Sequence, residues 1–177
     1  MTLTPAQLAL TGADNYFEDF PVGRRIRHAR GATIDSLENA YLSKAVMNTA
    51  QPHWNEHALA GDTALGSGRV VFGLLTASMV VGLASQDTGE NALAELRLDR
   101  IRFRSPVHHL DTLYAFTEVL EVADDQRADA GRVRFAHWGV THDDRLVVEL
   151  QRTVLIKRRS HWCPPHTVVE NVGETNR

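Results

Sequence analysis

The stretch Asn48-Thr49-Ala50-Gln51-Pro52-His53-Trp54-Asn55-Glu56-His57 gathers amides, imidazoles and a carboxylate around one proline, with little to bury. A histidine is suited to proton transfer near neutral pH, and amides orient water or hold a neighbouring ring. The sequence then turns uncharged from Val70 to Ser85, through Phe72-Gly73-Leu74-Leu75-Thr76-Ala77-Ser78-Met79. A helix starting in that run presents unpaired backbone N–H groups and the positive end of its dipole at its first turn. The polar stretch is therefore either an ordinary turn or half of an active site whose other half is the start of the next helix.

The flanking pattern says what must position these residues. Tyr16 to Gly23 reads as a turn entering a strand over residues 25–29. Thr33, Asp35 or Ser36 can cap a helix whose Leu37, Tyr41, Ala45 and Leu42 share an apolar face, and this helix runs into the polar stretch. Gly66 and Gly68 break the chain before Val70. The segment 73–85 is apolar nearly all round, with small residues among leucines and valines, so a helix there needs cover on most sides. Strand signals follow at 94–103, 113–122, 132–140 and 146–156. The first carries Leu96 and Leu98 on one face. Its phase slips at Asp99-Arg100 before Ile101 and Phe103, which predicts a bulge. His142-Asp143-Asp144-Arg145 predicts the hairpin turn between the last two strands. The order implies an α+β fold, an antiparallel sheet wrapped around one apolar helix.

A chain of 177 residues with 43% hydrophobic and 23% charged residues is expected to form one globular domain. Residues 16–159 make up that domain, with extensions at 1–15 and 160–177. The net charge of -3 argues against a general nucleic-acid binder. The single cysteine, Cys163, cannot close an internal disulfide. The N-terminus lacks the pattern of a signal peptide, and the apolar run Val70–Ala84 falls short of the roughly 20 residues a membrane span needs. A cytoplasmic protein is expected, without membrane or metal. His161, Cys163 and His166 are a weak zinc pattern, and His108-His109 reads as part of a turn before Asp111.

Tyr-Phe-Glu-Asp-Phe-Pro-Val-Gly at 16–23, the polar loop before Phe72-Gly73, Phe103-Arg104-Ser105-Pro106 and the strand ending Leu155-Ile156-Lys157 together resemble the MaoC-like dehydratases. That hot-dog family includes the (R)-specific enoyl-CoA hydratases, and the resemblance spans residues 16–159. The family loop reads Asp-x-Asn-Pro-x-His-x-Asp. With its histidine on His53, Asn48 stands where the family has Asp, Ala50 on the Asn, Gln51 on the Pro and Asn55 on the second Asp. A subgroup acting on branched, carboxylated acyl-CoAs such as mesaconyl-, β-methylmalyl- or itaconyl-CoA looks most similar.

The resemblance implies a hydratase or dehydratase acting at the C2=C3 bond of an enoyl-CoA. It casts His53 as the acid–base group, the N–H of Gly73 as the oxyanion donor and Asn48 as a water- or ring-orienting group, with Glu56 as a possible helper. Asn48 as a simple helix C-cap is the alternative. Gln51, Asn55, Phe72, Leu74, Arg69 and Arg102 are its candidate substrate contacts. Arg97, Arg100, Arg102 and Arg104 form a basic strip that is either a solvated edge or a contact for CoA phosphates or a substrate carboxylate. No cofactor is implied beyond the CoA thioester itself. A homodimer or larger homo-oligomer is expected, because a sheet around one helix leaves an edge open. The rivals are a hot-dog thioesterase, which the absence of a carboxylate from 73–85 disfavours, and a non-catalytic acyl-CoA-binding protein.

Overall fold

The computed structural model describes residues 15–59 and 68–162. Gly66, Cys163, His166 and most of both predicted extensions lie outside them. Five strands and three α-helices run in the order β1 (Arg25–Thr33), α1 (Ser36–Ala45), α2 (Gly73–Thr88), β2 (Ala92–Phe103), β3 (Thr112–Asp124), β4 (Ala130–Thr141), β5 (Leu146–Lys157) and α3 (Arg159–Trp162). The strands form one antiparallel sheet in the order β1-β3-β4-β5-β2. Helix α2 touches all five. This is the expected hot-dog arrangement.

Inward residues alternate along β3, where Leu113, Ala115, Thr117 and Val119 are buried, while the residues between them are half-exposed. Ala77, Val80 and Ala84 of α2 meet this surface, and Leu113, Ala115, Val148 and Leu150 close one apolar cluster around the helix. Gly139 on β4 allows the approach: a Cβ there would lie 2.5 Å from Val80 Cγ2. A second cluster gathers Phe20, Val119, Val133, Phe135, Val154 and Ile156, with Phe20 edge-on to Phe135 at 5.2 Å. The side of α2 carrying Leu74, Ser78, Gly82 and Gln86 stays exposed.

Between these apolar clusters runs a belt of buried polar side chains. His28 joins Asp87 through Nδ1 (2.6 Å) and Thr117 through Nε2 (2.7 Å), and Thr117 joins His137 Nδ1 (2.7 Å). Arg152, 3% exposed, donates to Glu95 and to Thr88 Oγ1 (3.1 Å). With both rings neutral the chain has one consistent direction: His137 Nδ1–H to Thr117, Thr117 O–H to His28, His28 Nδ1–H to the Asp87 carboxylate. The belt clasps the last turn of α2.

The bulge in β2 occurs where the sequence slips phase, with Arg100 at φ 52° and the register to β5 shifting between Asp99 and Arg102. The 142–145 turn is also as expected, with Asp144 at φ 62°. Hydrogen bonds from Thr141, then from Arg145, hold the Asp143 carboxyl down to about 2. Helix α1 corrects the sequence reading. Asp35 is its N-cap, accepting from Leu37 N–H at 2.7 Å. Yet Leu37 and Tyr41 are 73% and 68% exposed, and the buried residues are Asn39 and Ser43. The face that docks does so by hydrogen bonding, which apolar periodicity does not register. Strand β1 also runs on to Thr33, past the expected Ala29, across an irregularity between Arg27 and Gly31.

Candidate active site

Helix α2 starts bare. Phe72 occupies its N-cap position and supplies no side-chain cap; the first turn contains no acidic residue. The Phe72 N–H donates to Asn39 Oδ1 (2.9 Å), and the first intrahelical bond runs from Thr76 N–H to Phe72 C=O (3.1 Å). Gly73, Leu74 and Leu75 thus present N–H groups for which the helix itself has no acceptor.

A 3-10 turn, Gln51–His53, brings the imidazole to this helix tip. The Val70 N–H donates to Pro52 C=O at 2.9 Å, and His53 Nδ1 lies 3.0 Å from Val70 C=O. A carbonyl only accepts, so Nδ1 carries the proton and Nε2 is the basic nitrogen of the neutral ring. The ring is half-buried against Phe72, with centroids 5.5 Å apart.

His53 and Gly73 line one cleft of ≈ 310 Å³, together with Val70, Val71, Thr76, residues 103–107 and Val147. Among the described residues no carboxylate lines it. Its formal cation is Arg104, half-exposed and paired with Glu149. The Phe103 ring lies over Gly73, where a Cβ would come within 3.0 Å of it. Only glycine lets that ring rest on the helix tip without displacement.

Other candidates fall elsewhere. Asn48 does not line the cleft: its Oδ1 accepts from Ala50 N–H (2.9 Å), a turn that shapes the bend carrying His53. It is not the C-cap of α1 either, a position held by Val46. Met47 (φ 55°) and Asn48 close the helix through N–H bonds to Lys44 and Ser43 carbonyls, a Schellman end. Gln51 is exposed and bonds to Asn55 on the outer side of the loop. Glu56 pairs with Arg69 (2.9 Å) and so holds a guanidinium instead of helping His53. Leu74 is half-exposed beside the tip. Arg102 lies with Arg100, Trp138 and Glu149 in a different cleft, 3.6 Å from the Glu149 carboxylate. Of the basic strip, Arg104 is the member at the His53 cleft.

Sequence reasoning missed Asn39, and it named Phe103-Arg104-Ser105-Pro106 for the resemblance and Arg104 in a basic strip without placing the segment at the site. Asn39 is a buried polar residue on a helix read for its apolar face. The Ser105-Pro106-Val107 wall is an irregular segment whose Val107 C=O accepts from Val71 N–H (2.7 Å). His108-His109 does lie in the turn before Asp111, whose carboxylate accepts from His108 N–H (2.9 Å). Burial, and then the charge of Arg69, holds His109 below the ordinary histidine range. Among the described residues no group of three His, Cys, Asp or Glu side chains is arranged to hold a metal, and no helix is long and apolar enough to cross a membrane.

The comparisons agree with this architecture. A mesaconyl-CoA hydratase of Haloarcula marismortui is 34% identical over 154 residues, covering 81% of this chain and 42% of that protein. A beta-methylmalyl-CoA dehydratase of Chloroflexus aurantiacus is 28% identical over 168 residues, covering 86% of this chain and 47% of that one. The chain thus spans less than half the length of these relatives. The crystal structure of a MaoC domain protein dehydratase from Chloroflexus aurantiacus superposes with a TM-score of 0.77 at 26% identity, over 89% of this chain and 49% of the other. A Mycobacterium tuberculosis protein described as a double hotdog fold superposes at 0.66 with 24% identity, over 87% and 47% of the two chains. The family model for mesaconyl-CoA hydratase matches residues 7–158, and the chain belongs to that family.

Proposed function

We propose that this chain hydrates the C2=C3 bond of an enoyl-CoA, or catalyses the reverse dehydration, on a short branched or carboxylated acyl group. One observation carries the reading: the His53 imidazole and the uncapped tip of α2 share one cleft, and among the described residues no carboxylate lines it. His53 Nε2 takes a proton from water as the hydroxyl oxygen bonds to C3. The π electrons move through C2 to the thioester oxygen, where the Gly73 N–H and the helix dipole meet the developing charge. The imidazolium then returns its proton to C2 as the carbonyl re-forms. Water is consumed, and no redox partner is needed.

The names of the two relatives support a branched, carboxylated substrate. So does Arg104, a half-exposed guanidinium at the cleft whose partner Glu149 also lies 3.6 Å from Arg102. Guanidinium suits a carboxylate partner. The cytoplasmic location expected from the sequence belongs to the same reading. So does a homodimer, supported by Leu96, Leu98 and Phe103 on edge strand β2, each 47–51% exposed. Light scattering that finds a stable monomer overturns the dimer.

The test is absorbance-monitored hydration of crotonyl-, mesaconyl- and itaconyl-CoA, with released thiol measured in parallel. Hydration fastest on the carboxylated substrates is expected. Thiol release with the double bond intact identifies a thioesterase instead. Tight binding with neither reaction identifies a non-catalytic acyl-CoA binder.

A further inference from the structure

Asn39 is fully buried, although it lies on a helix whose leucine and tyrosine point outward. Its amide joins the His53 loop to the start of α2. Nδ2 donates to His53 C=O at 2.9 Å and to Val70 C=O at 3.3 Å, and lies 3.3 Å from His109 Nε2. Oδ1 accepts from Phe72 N–H at 2.9 Å. Val70 C=O is also the acceptor that fixes the His53 ring. One side chain therefore fastens the backbone of the histidine, the acceptor of its ring and the N-cap of the donor helix.

We propose that Asn39 is a positioning residue, which sets the distance and angle between the His53 imidazole and the first turn of α2. The chemistry of the site selects the residue type. Two carbonyls need donors and one N–H needs an acceptor, all at one buried point. An amide supplies both. A carboxylate of the same shape supplies only the acceptor, and leucine supplies neither. Glutamine is one methylene too long for a site with no exposed surface. An imidazole displaced by about 1 Å from its working geometry costs on the order of 10²-fold in rate. That is the expected effect of losing this anchor.

The effect on turnover rests on the hydratase reading; the effect on the ring does not. The experiment therefore follows both in Asn39→Asp and Asn39→Leu. The His53 tautomer is read from its ring nitrogen shifts, assigned by difference against His53→Gln. Hydration kinetics and the affinity for a saturated acyl-CoA are measured beside it. In the unsubstituted protein the Nδ1–H tautomer is expected, together with a through-hydrogen-bond coupling from Asn39 Nδ2 to the His53 carbonyl carbon. Both variants are expected to mix the tautomers and to lose kcat by about 10²-fold while still binding the saturated thioester. A tautomer unchanged by substitution overturns the proposal. So does a loss of kcat matched by an equal loss of affinity, which marks general damage. If both variants fail to fold, the coupling in the intact protein decides, and its absence overturns the anchor. If the intact protein hydrates nothing while the tautomer responds, the hydratase reading falls and the anchor stands.

Discussion

The belt around the last turn of α2 predicts how the fold responds to acid. His137 is fully buried; its Nδ1 is bonded to Thr117, and its Nε2 has no partner among the described residues. Burial, then the charge of Arg152, then His28 push it down to about 3. A buried ring that stays neutral while its unfolded counterpart takes up a proton loses relative stability on acidification. The unfolded chain binds more protons between pH 6.5 and about 3, so stability rises with pH across that window and is flat above it for this group. Each pH unit well inside the window removes on the order of 1 kcal/mol, so by pH 4.5 the integrated loss is on the order of a few kcal/mol. His109, also lowered, acts in the same direction, whereas Asp143 at about 2 titrates below this range. Urea unfolding from pH 7.5 to 4.5 at fixed protein concentration measures the slope. His137→Asn keeps a polar partner for Thr117 and removes the titration, so its stability curve should be flatter by most of that slope, whatever its absolute stability. Parallel curves for the two proteins would refute the assignment of the neutral buried ring.

The remaining expectations concern the cleft. His53→Gln should lower kcat for hydration by about 10²–10⁴-fold, with saturated acyl-CoA binding retained, because among the described residues no other group in the cleft wall is placed to take the proton. The lost ring-to-Val70 hydrogen bond is worth only about 1 kcal/mol of stability, so a folded, binding, inactive protein is the expected product and near-normal turnover counts against the mechanism. Arg104→Met should weaken kcat/KM for mesaconyl-CoA by about 1.5–3 kcal/mol, roughly 10- to 150-fold, and leave crotonyl-CoA nearly untouched. Equal losses on both substrates would assign Arg104 to the CoA moiety instead.

Much of this molecule was legible in its sequence, and what was not has a common cause. The strands announced themselves because Leu113, Ala115, Val119 and their neighbours alternate with exposed residues. The phase slip at Asp99-Arg100 and the Asp-Asp turn were readable because a bulge and a left-handed turn residue both interrupt that alternation. Helix α2 began at Gly73 as read, and ran three residues beyond Ser85, through the turn that the polar belt clasps. The pairing of His53 with the helix start was proposed from loop chemistry, and the two do line one cleft. Helix α1 was misjudged because its buried face is polar: Asn39 and Ser43 sit four residues apart just as apolar core residues would. Asn48 looked chemical by position, but an Asn after a helix is equally at home in a turn, and Oδ1 bonded to Ala50 N–H is such a turn.

The same geometry separates hydration from thioester hydrolysis. Many hydrolases of this fold place a carboxylate on the central helix to aim water at the carbonyl carbon. The first carboxylate on α2 is Asp87, fourteen residues past Gly73 and so about 21 Å along the axis, and it is bonded to His28 in the polar belt. At the near end the wall offers donors for the carbonyl oxygen and one basic nitrogen beside it. On the proposed reading, a thioester whose oxygen sits on the Gly73 N–H lies beside the basic nitrogen of His53, which lines the same cleft. The sheet packs against one side of α2, and at its first turn Asn39 ties His53 in place. On the hydratase reading, the fold supplies the donors, and the loop held by Val70 and Asn39 places the base beside them.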